Sequence, residues 1–324
     1  MNSQKSFVLF LFMSIPYFLM AQTGIHQEAT KLLDSGQFEK ASSMLSQHLE
    51  KADTDQEARF LYGRSLIKLE KHEEAIVQLK SLRKSMEKRA DFHFWYGQAY
   101  LGKLNASKNF FEKGIVASKV KEAFERSVAL DPENLSARNS LAQYYLNAPG
   151  IAGGSTKKAK EQIDFIKSRD PRMGYYAMAS YYFQKKEYQQ AKEEYVKYLE
   201  IAEKKSEVLY QIGFINQIEK DFDSAFQYFQ RSVKEAPVFV PSYYQYARTA
   251  IFAEKNVAKG IEMMKVYLNG GGADNGPDLP SAFWRLGMLY ELQGDKQEAK
   301  NAYEKALELN PEHEQALSAM KSIK

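Results

Sequence analysis

The sequence has no cysteine among its 324 residues. That excludes disulfides, cysteine-bound zinc and a lipid attached through a thioether. Histidine is sparse and scattered: of His26, His48, His72, His93 and His313, no two stand four apart, and no His-Glu-x-x-His occurs. Neither a metal site nor a cofactor is therefore read. There is no Gly-x-Ser-x-Gly elbow and no legible serine–histidine pairing, so the chain is not expected to be an enzyme. An excess of one charge is missing too: 45 basic against 41 acidic residues give a net +4, with both signs mixed along the chain. Nucleic acid is not an expected partner for such a surface. No alternating apolar run argues for a strand after Gln22.

Long apolar runs are confined to the start. Lys5 precedes an almost wholly apolar Phe7–Leu19, and Leu19-Met20-Ala21 makes a cleavage site before Gln22. The run is shorter than the roughly 20 residues of a spanning helix, and Pro16 weakens it. Residues 1–21 are thus read as a signal peptide, with an uncleaved anchor as the alternative. An exported protein, periplasmic or extracellular, is the expected location. Removing Lys5 leaves a net charge of +3.

What the chain does have is a spaced repeat. Leu286, Gly287, Tyr290, Gly294, Ala299, Tyr303, Ala306 and Pro311 fall at offsets that Ile212, Gly213, Phe222, Ala225, Phe229, Ser232 and Pro237 reproduce, with 24 positions from glycine to proline in both. Tyr62, Gly63, Leu66, Ala75 and Leu79 begin a third copy. A period near 34 built from two helix-length apolar patterns resembles the tetratricopeptide repeat family. Small residues such as Gly287 and Ala299 mark where the two helices of a repeat cross. Tyr303 and Ala306 are assigned to the face meeting the next repeat, and the proline stops the second helix. Weaker copies surround Gly97 and Phe124, Leu141 and Ala159, Ala179 and Ala191, and Ala247 and Gly260, with a partial one at Gly36–Leu45.

The fold class expected is all-α: a right-handed superhelical solenoid of about eight helix pairs over residues 22–311. Residues 312–324 would close it as a capping helix with Ala316, Leu317 and Met320 on one face. Three places break the period. Gly97 to Pro132 carries 11 extra residues, placed near 103–121; five more fall near 147–155; most of a third excess fits 270–280. Insertions of this kind belong in loops. The first carries Leu104, Phe111 and Ile115 at helical spacing among lysines. Two readings stand: a projecting amphipathic helix making peripheral membrane or partner contact, or the favoured one, a lengthening of the two helices with its apolar side folded back. Gly150–Lys158 superficially resembles a phosphate loop but lacks the Gly-Lys-Ser/Thr order. A turn capped by Ser155 or Thr156 is the main reading, a weak anion site the other. Asp221 and Asp223 are read as caps of a second helix rather than a catalytic pair, and Asp274, Asn275 and Asp278 lack calcium-loop spacing.

The resemblance implies that the first helix of each pair, helix A, lines a concave groove. At its fifth position stand Phe60, Phe94, Asn139, Tyr176, Tyr210, Tyr244 and Trp284. Further along are Arg64, Gln98, Gln143, Phe183, Phe214, Arg248, Ile251 and Phe252. Aromatics interspersed with amides and arginines suit an extended peptide. The competing reading is that these rings pack on neighbouring helices. The family's lysine–asparagine clamp for chaperone C-termini is absent at these positions. The function expected is a non-enzymatic scaffold or adaptor in the cell envelope, holding a protein or peptide partner. An envelope glycan binder is the alternative, and an enzyme the least supported.

Overall fold

The computed structural model describes residues 24–270, 272 and 276–323, and at 110 and 111 the backbone alone. Residues 1–21, read above as a signal peptide, together with Asp274, Asn275 and the Phe111 ring, lie outside the described residues. The chain divides into two compact units, Met1–Arg169 and Asp170–Lys324. The first holds α1 (24–34), α2 (Phe38–Lys51), α3 (Gln56–Lys68), α4 (His72–Ser81), α5 (Ala90–Ala106), α6 (Phe110–Leu130), α7 (Leu135–Asn147) and α8 (Thr156–Arg169). The second holds α9 (Pro171–Gln184), α10 (Tyr188–Ile201), α11 (Ser206–Ile218), α12 (Phe222–Glu235), α13 (Pro241–Ala253), α14 (Val257–Asn269), α15 (Leu279–Gln293), α16 (Lys296–Leu309) and α17 (Glu314–Ser322). Consecutive helices pack on one another within each unit, and no strand occurs among the described residues. The architecture is an all-helical repeat solenoid.

A glycine meeting a large side chain holds each well-formed pair together. A β-carbon added at Gly63 would stand 2.7 Å from Leu79, at Gly97 2.6 Å from Phe124, at Gly213 2.8 Å from Phe229 and at Gly287 2.3 Å from Tyr303. The interval is 16 residues in three pairs and 27 in α5/α6, the difference being the 11 inserted residues. Tyr303, assigned from the sequence to the face meeting the next repeat, lies over Gly287 of its own helix A, fully buried, and its hydroxyl donates to Glu291 Oε2 at 2.5 Å. Burial, reinforced by that carboxylate, pushes the phenol pKa far up. Three residues beyond the ring a small residue seats helix B on the start of helix A. Ser127 Oγ donates to the Ala90 carbonyl at 2.8 Å, and Ser232 Oγ to the Ser206 carbonyl at 2.7 Å.

The turn between helices A and B also repeats. Gly36, Glu70, Lys186, Lys220 and Gly294 have φ between 59° and 86°. The next N–H reaches back five residues each time, as in Lys71 N to Leu66 O and Asp221 N to Asn216 O, both 2.9 Å. This is the Schellman closure, which needs one left-handed residue. A non-glycine residue there is strained by about 1 kcal/mol or more. Lys220 is exposed, so Lys220→Gly is expected to raise stability by about 0.5–1 kcal/mol, the relief of strain exceeding the added chain entropy. An unchanged or lower urea midpoint would refute it. In α13/α14 both Glu254 and Asn256 take positive φ. The turn there absorbs one extra residue, so Gly260 meets Ala250 at 2.7 Å instead.

The first insertion lengthens α5 to 17 and α6 to 21 residues, joined by 107–109. Leu104 packs on a cluster containing Val116, Ala117 and Val120, whereas Ile115 is 70% exposed. Lys103 bridges Glu73 at 2.7 Å and Glu112 at 3.1 Å. At the chain end, His313 Nδ1 caps α17 by accepting from Ala316 N at 3.2 Å. Ala316 is buried, and Ala319, Met320 and Ile323 pack on the core. Leu317, assigned to that face from the sequence, is exposed instead, because the buried stripe steps through 316, 319, 320 and 323. Asp55 ties α1, α2 and α3 together: its carboxylate meets His26 Nε2 at 2.9 Å and His48 Nε2 at 2.8 Å and caps Ala58 N at 3.0 Å. Burial favours its neutral form, yet these hydrogen bonds outweigh it and hold the carboxyl below its usual range.

Candidate functional site

In the first unit the helix-A side chains divide between core and surface. Phe60 is 1% exposed, packed on Phe92 and under the Arg89 guanidinium at 4.6 Å. It offers nothing to a ligand, which corrects its place in the expected groove. Arg64 is half-buried with its guanidinium 4.9 Å from Trp95, and its Nε is buried without a hydrogen bond. Burial lowers its pKa, against the pull of Asp34, Asp91 and Glu57. Arg89 pairs with Glu57 and Asp91. Phe94, Asn139 and Gln143 are half-buried on α5 and α7, which are linked by Gln98 Nε2 donating to Ser140 Oγ at 3.0 Å. This unit also contains the glycine-rich loop. A short 3₁₀ turn spans Gly150–Ala152, Gly153 has φ 88°, and Ser155 Oγ caps α8 by accepting from Lys158 N at 3.3 Å. Lys121, the lysine against Gly153, faces Glu125 at 4.0 Å.

In the second unit Tyr244 is 3% exposed because Tyr267 of α14 closes on it at 5.1 Å. Tyr244, expected at a groove position, is therefore closed to a ligand. Tyr176 is half-buried between Tyr195 and Tyr198, its hydroxyl donating to Glu207 Oε1 at 2.7 Å. The half-buried rings run differently: Phe183 of α9 meets Phe214 of α11 at 6.3 Å, and Phe214 stacks parallel to Tyr210 at 6.3 Å. Phe239, from the loop before α13, closes edge-on over Tyr210 at 5.6 Å.

Farther along, α13 and α15 bring two guanidiniums together. Arg248 lies 5.0 Å from the Phe252 ring, itself half exposed, and its Nε is buried without a partner. Arg285 lies 4.7 Å from Trp284 and 5.5 Å from Tyr244, one turn before Arg248 on α13. Neither makes an ion pair among the described residues. Burial lowers the Arg285 pKa; Tyr244 opposes this, while Arg248 adds to it. Arg285 and Phe239 were missed from sequence. The first follows Trp284 directly, and a basic residue beside a groove aromatic is the one signal that pointed to it.

The arrangement offers flat apolar faces and cationic donors. Among the described residues no three histidine or acidic side chains cluster as a metal set, and no helix is long and apolar enough to cross a membrane. Family models described as tetratricopeptide repeat match residues 174–205, 206–239 and 280–313, and one described as anaphase-promoting complex, cyclosome, subunit 3 matches 21–82. No curated protein sequence matched the chain. Among solved structures it is similar to pilF of Pseudomonas aeruginosa, at TM-score 0.53 and 15% identity over 73% of this chain and 99% of that one. A second is the C-terminal part of a TPR repeat-containing protein from Cytophaga hutchinsonii, at TM-score 0.53 and 18% identity over 81% and 99%. A third is a chain of the Cut9–Hcn1 hetero-tetramer of the APC/C, at 0.56 and 14% over 91% and 54%. Repeats of this kind serve as protein-interaction scaffolds and are typically non-catalytic. With three helix pairs matched in sequence, and others sharing their glycine crossing or Schellman turn, the chain is a tetratricopeptide repeat protein.

Proposed function

We propose that this chain is a non-enzymatic adaptor of the cell envelope that holds an extended peptide or partner protein along its helix-A faces. The observation that carries this reading is the set of half-buried rings Phe183, Phe214, Tyr210 and Trp284, which the fold leaves partly open, with Arg248 and Arg285 making no ion pair among the described residues. Exposed aromatic surface next to arginine is the composition of interface hot spots. The apolar, signal-like composition of residues 1–21 supports the envelope part of this reading.

The test is capture from an envelope extract by the full chain and by its Phe183→Ala/Phe214→Ala/Trp284→Ala variant. Each hot-spot ring is worth about 2 kcal/mol or more in binding, so the variant is expected to lose its partner while retaining native helicity. Undiminished capture by the folded variant would sink the groove reading. Retention of polysaccharide but of no protein would replace it with a glycan binder. A mature chain still beginning at Met1 in the cytosol would remove the envelope assignment.

A further inference from the structure

Arg248 and Arg285 place two cations within each other's electrostatic reach, and neither makes an ion pair among the described residues. Their burial is incomplete but real: the Arg248 Nε is sealed from solvent with no acceptor, and the two guanidinium carbons stand 5.0 Å and 4.7 Å from the Phe252 and Trp284 rings. The remaining hydrogen bonds are long and weak, Arg248 Nη1 to Gln245 Oε1 at 3.5 Å and Arg285 Nη1 to the Ser281 carbonyl at 3.4 Å. Asp278, which acts on Arg285 through its charge, caps α15 by accepting from Ser281 N at 2.8 Å. Arg89, by contrast, pairs with Glu57 and Asp91. Like charges held together in a partly dry site are unfavourable until an anion joins them. Guanidinium forks match a carboxylate in geometry as well as charge.

We propose that Arg248 and Arg285 form a carboxylate subsite that takes an Asp or Glu side chain of an acidic, extended peptide. An internal side chain fits better than a chain terminus, because aromatic surface continues past the arginines on both sides, Phe214 on α11 and Trp284 on α15. The proposal rests on the groove reading above and names the class of partner it holds.

The probe is an acetylated and amidated decapeptide of alternating glutamate and phenylalanine, compared with the same peptide carrying glutamine for glutamate, by fluorescence anisotropy on the full chain. The glutamate peptide is expected to bind at least tenfold more tightly, with the difference shrinking as salt rises. Arg248→Met/Arg285→Met keeps the apolar stems and is expected to erase the difference without weakening the glutamine peptide. Arg248→Glu/Arg285→Glu is expected to transfer the preference to a lysine-containing peptide, a gain that misfolding cannot mimic. Equal binding of both peptides by the native protein overturns the subsite but leaves the groove standing, provided Phe214→Ala weakens both. A preference surviving the methionine pair, or gained by the glutamine peptide only when its C-terminus is free, also overturns it. Failure of every peptide to bind overturns the subsite and the groove together.

Discussion

Replacing Gly154 with alanine is expected to destabilise the first unit by about 3 kcal/mol or more, at the upper end of overpacking effects. The added β-carbon would stand 1.8 Å from the Ala148 carbonyl oxygen and 2.7 Å from its carbon. Those are backbone atoms, so no rotamer change relieves the clash. Nor is the loop free to retreat. Gly154 N donates to the Pro149 carbonyl at 3.0 Å, Ser155 N to the Tyr145 carbonyl at 2.9 Å, and Ala148 N to the Tyr144 carbonyl at 2.9 Å. Tyr144 also pins the loop by donating its hydroxyl to the Ala152 carbonyl at 2.7 Å. Gly150 lies in the same loop with nothing within 4 Å of its would-be β-carbon. Gly150→Ala is therefore the control, expected to change stability by no more than about 0.5 kcal/mol. Equal urea midpoints for the two variants would show that the loop does not wrap Gly154 as described.

That loop illustrates which parts of the fold are legible in residue spacing. The period of 34, the glycine-to-proline interval and the cap at Ser155 follow from one-dimensional rules, because helices and their ends are local structures. The lengths of α5 and α6 were open to a counting argument as well, since the 11 surplus residues had to lengthen helices or leave them. The partner of each crossing glycine was not. Gly287 and Ala299 are both small, and the sequence suggested that they meet. Tyr303, one turn beyond Ala299, instead lays its ring over the glycine, and that choice depends on how deeply α16 nests on α15. Leu317 failed for a related reason. Its hydropathy marks it as buried, but the packed stripe of α17 runs through Ala316, Ala319, Met320 and Ile323 and leaves it out.

The helix-A face was legible as a set of positions and not as a surface. Position alone treats Phe60 and Tyr244 like Phe94 and Tyr210. What separates them is the neighbouring ring: Phe92 packs on Phe60 and Tyr267 closes over Tyr244, whereas Tyr210 has Phe239 edge-on and stays half-buried. Arg248 was marked by position, but its lack of an acid could be seen only once α15 placed Arg285 near it.

The glycine–ring crossing makes a second large prediction, and it concerns a pair of residues. Phe229 is fully buried over Gly213. Phe229→Ala should cost about 3–5 kcal/mol through lost burial and the cavity left behind. Gly213→Leu should cost about 2–3 kcal/mol, since even a β-carbon there would stand 2.8 Å from the ring. Combined, the two changes should not add. The leucine side chain can enter the space the ring vacated, so the double variant is expected to recover at least about 1 kcal/mol relative to the sum. Gly213→Leu combined with Tyr303→Ala is the matched control. Tyr303 serves the α15/α16 crossing, not α11/α12, so those effects should add to within about 0.5 kcal/mol. Urea denaturation of the five variants and the native chain measures both cycles. Additivity in the Gly213–Phe229 cycle would mean that glycine and ring do not share one crossing, and the interval of 16 residues would lose its physical meaning.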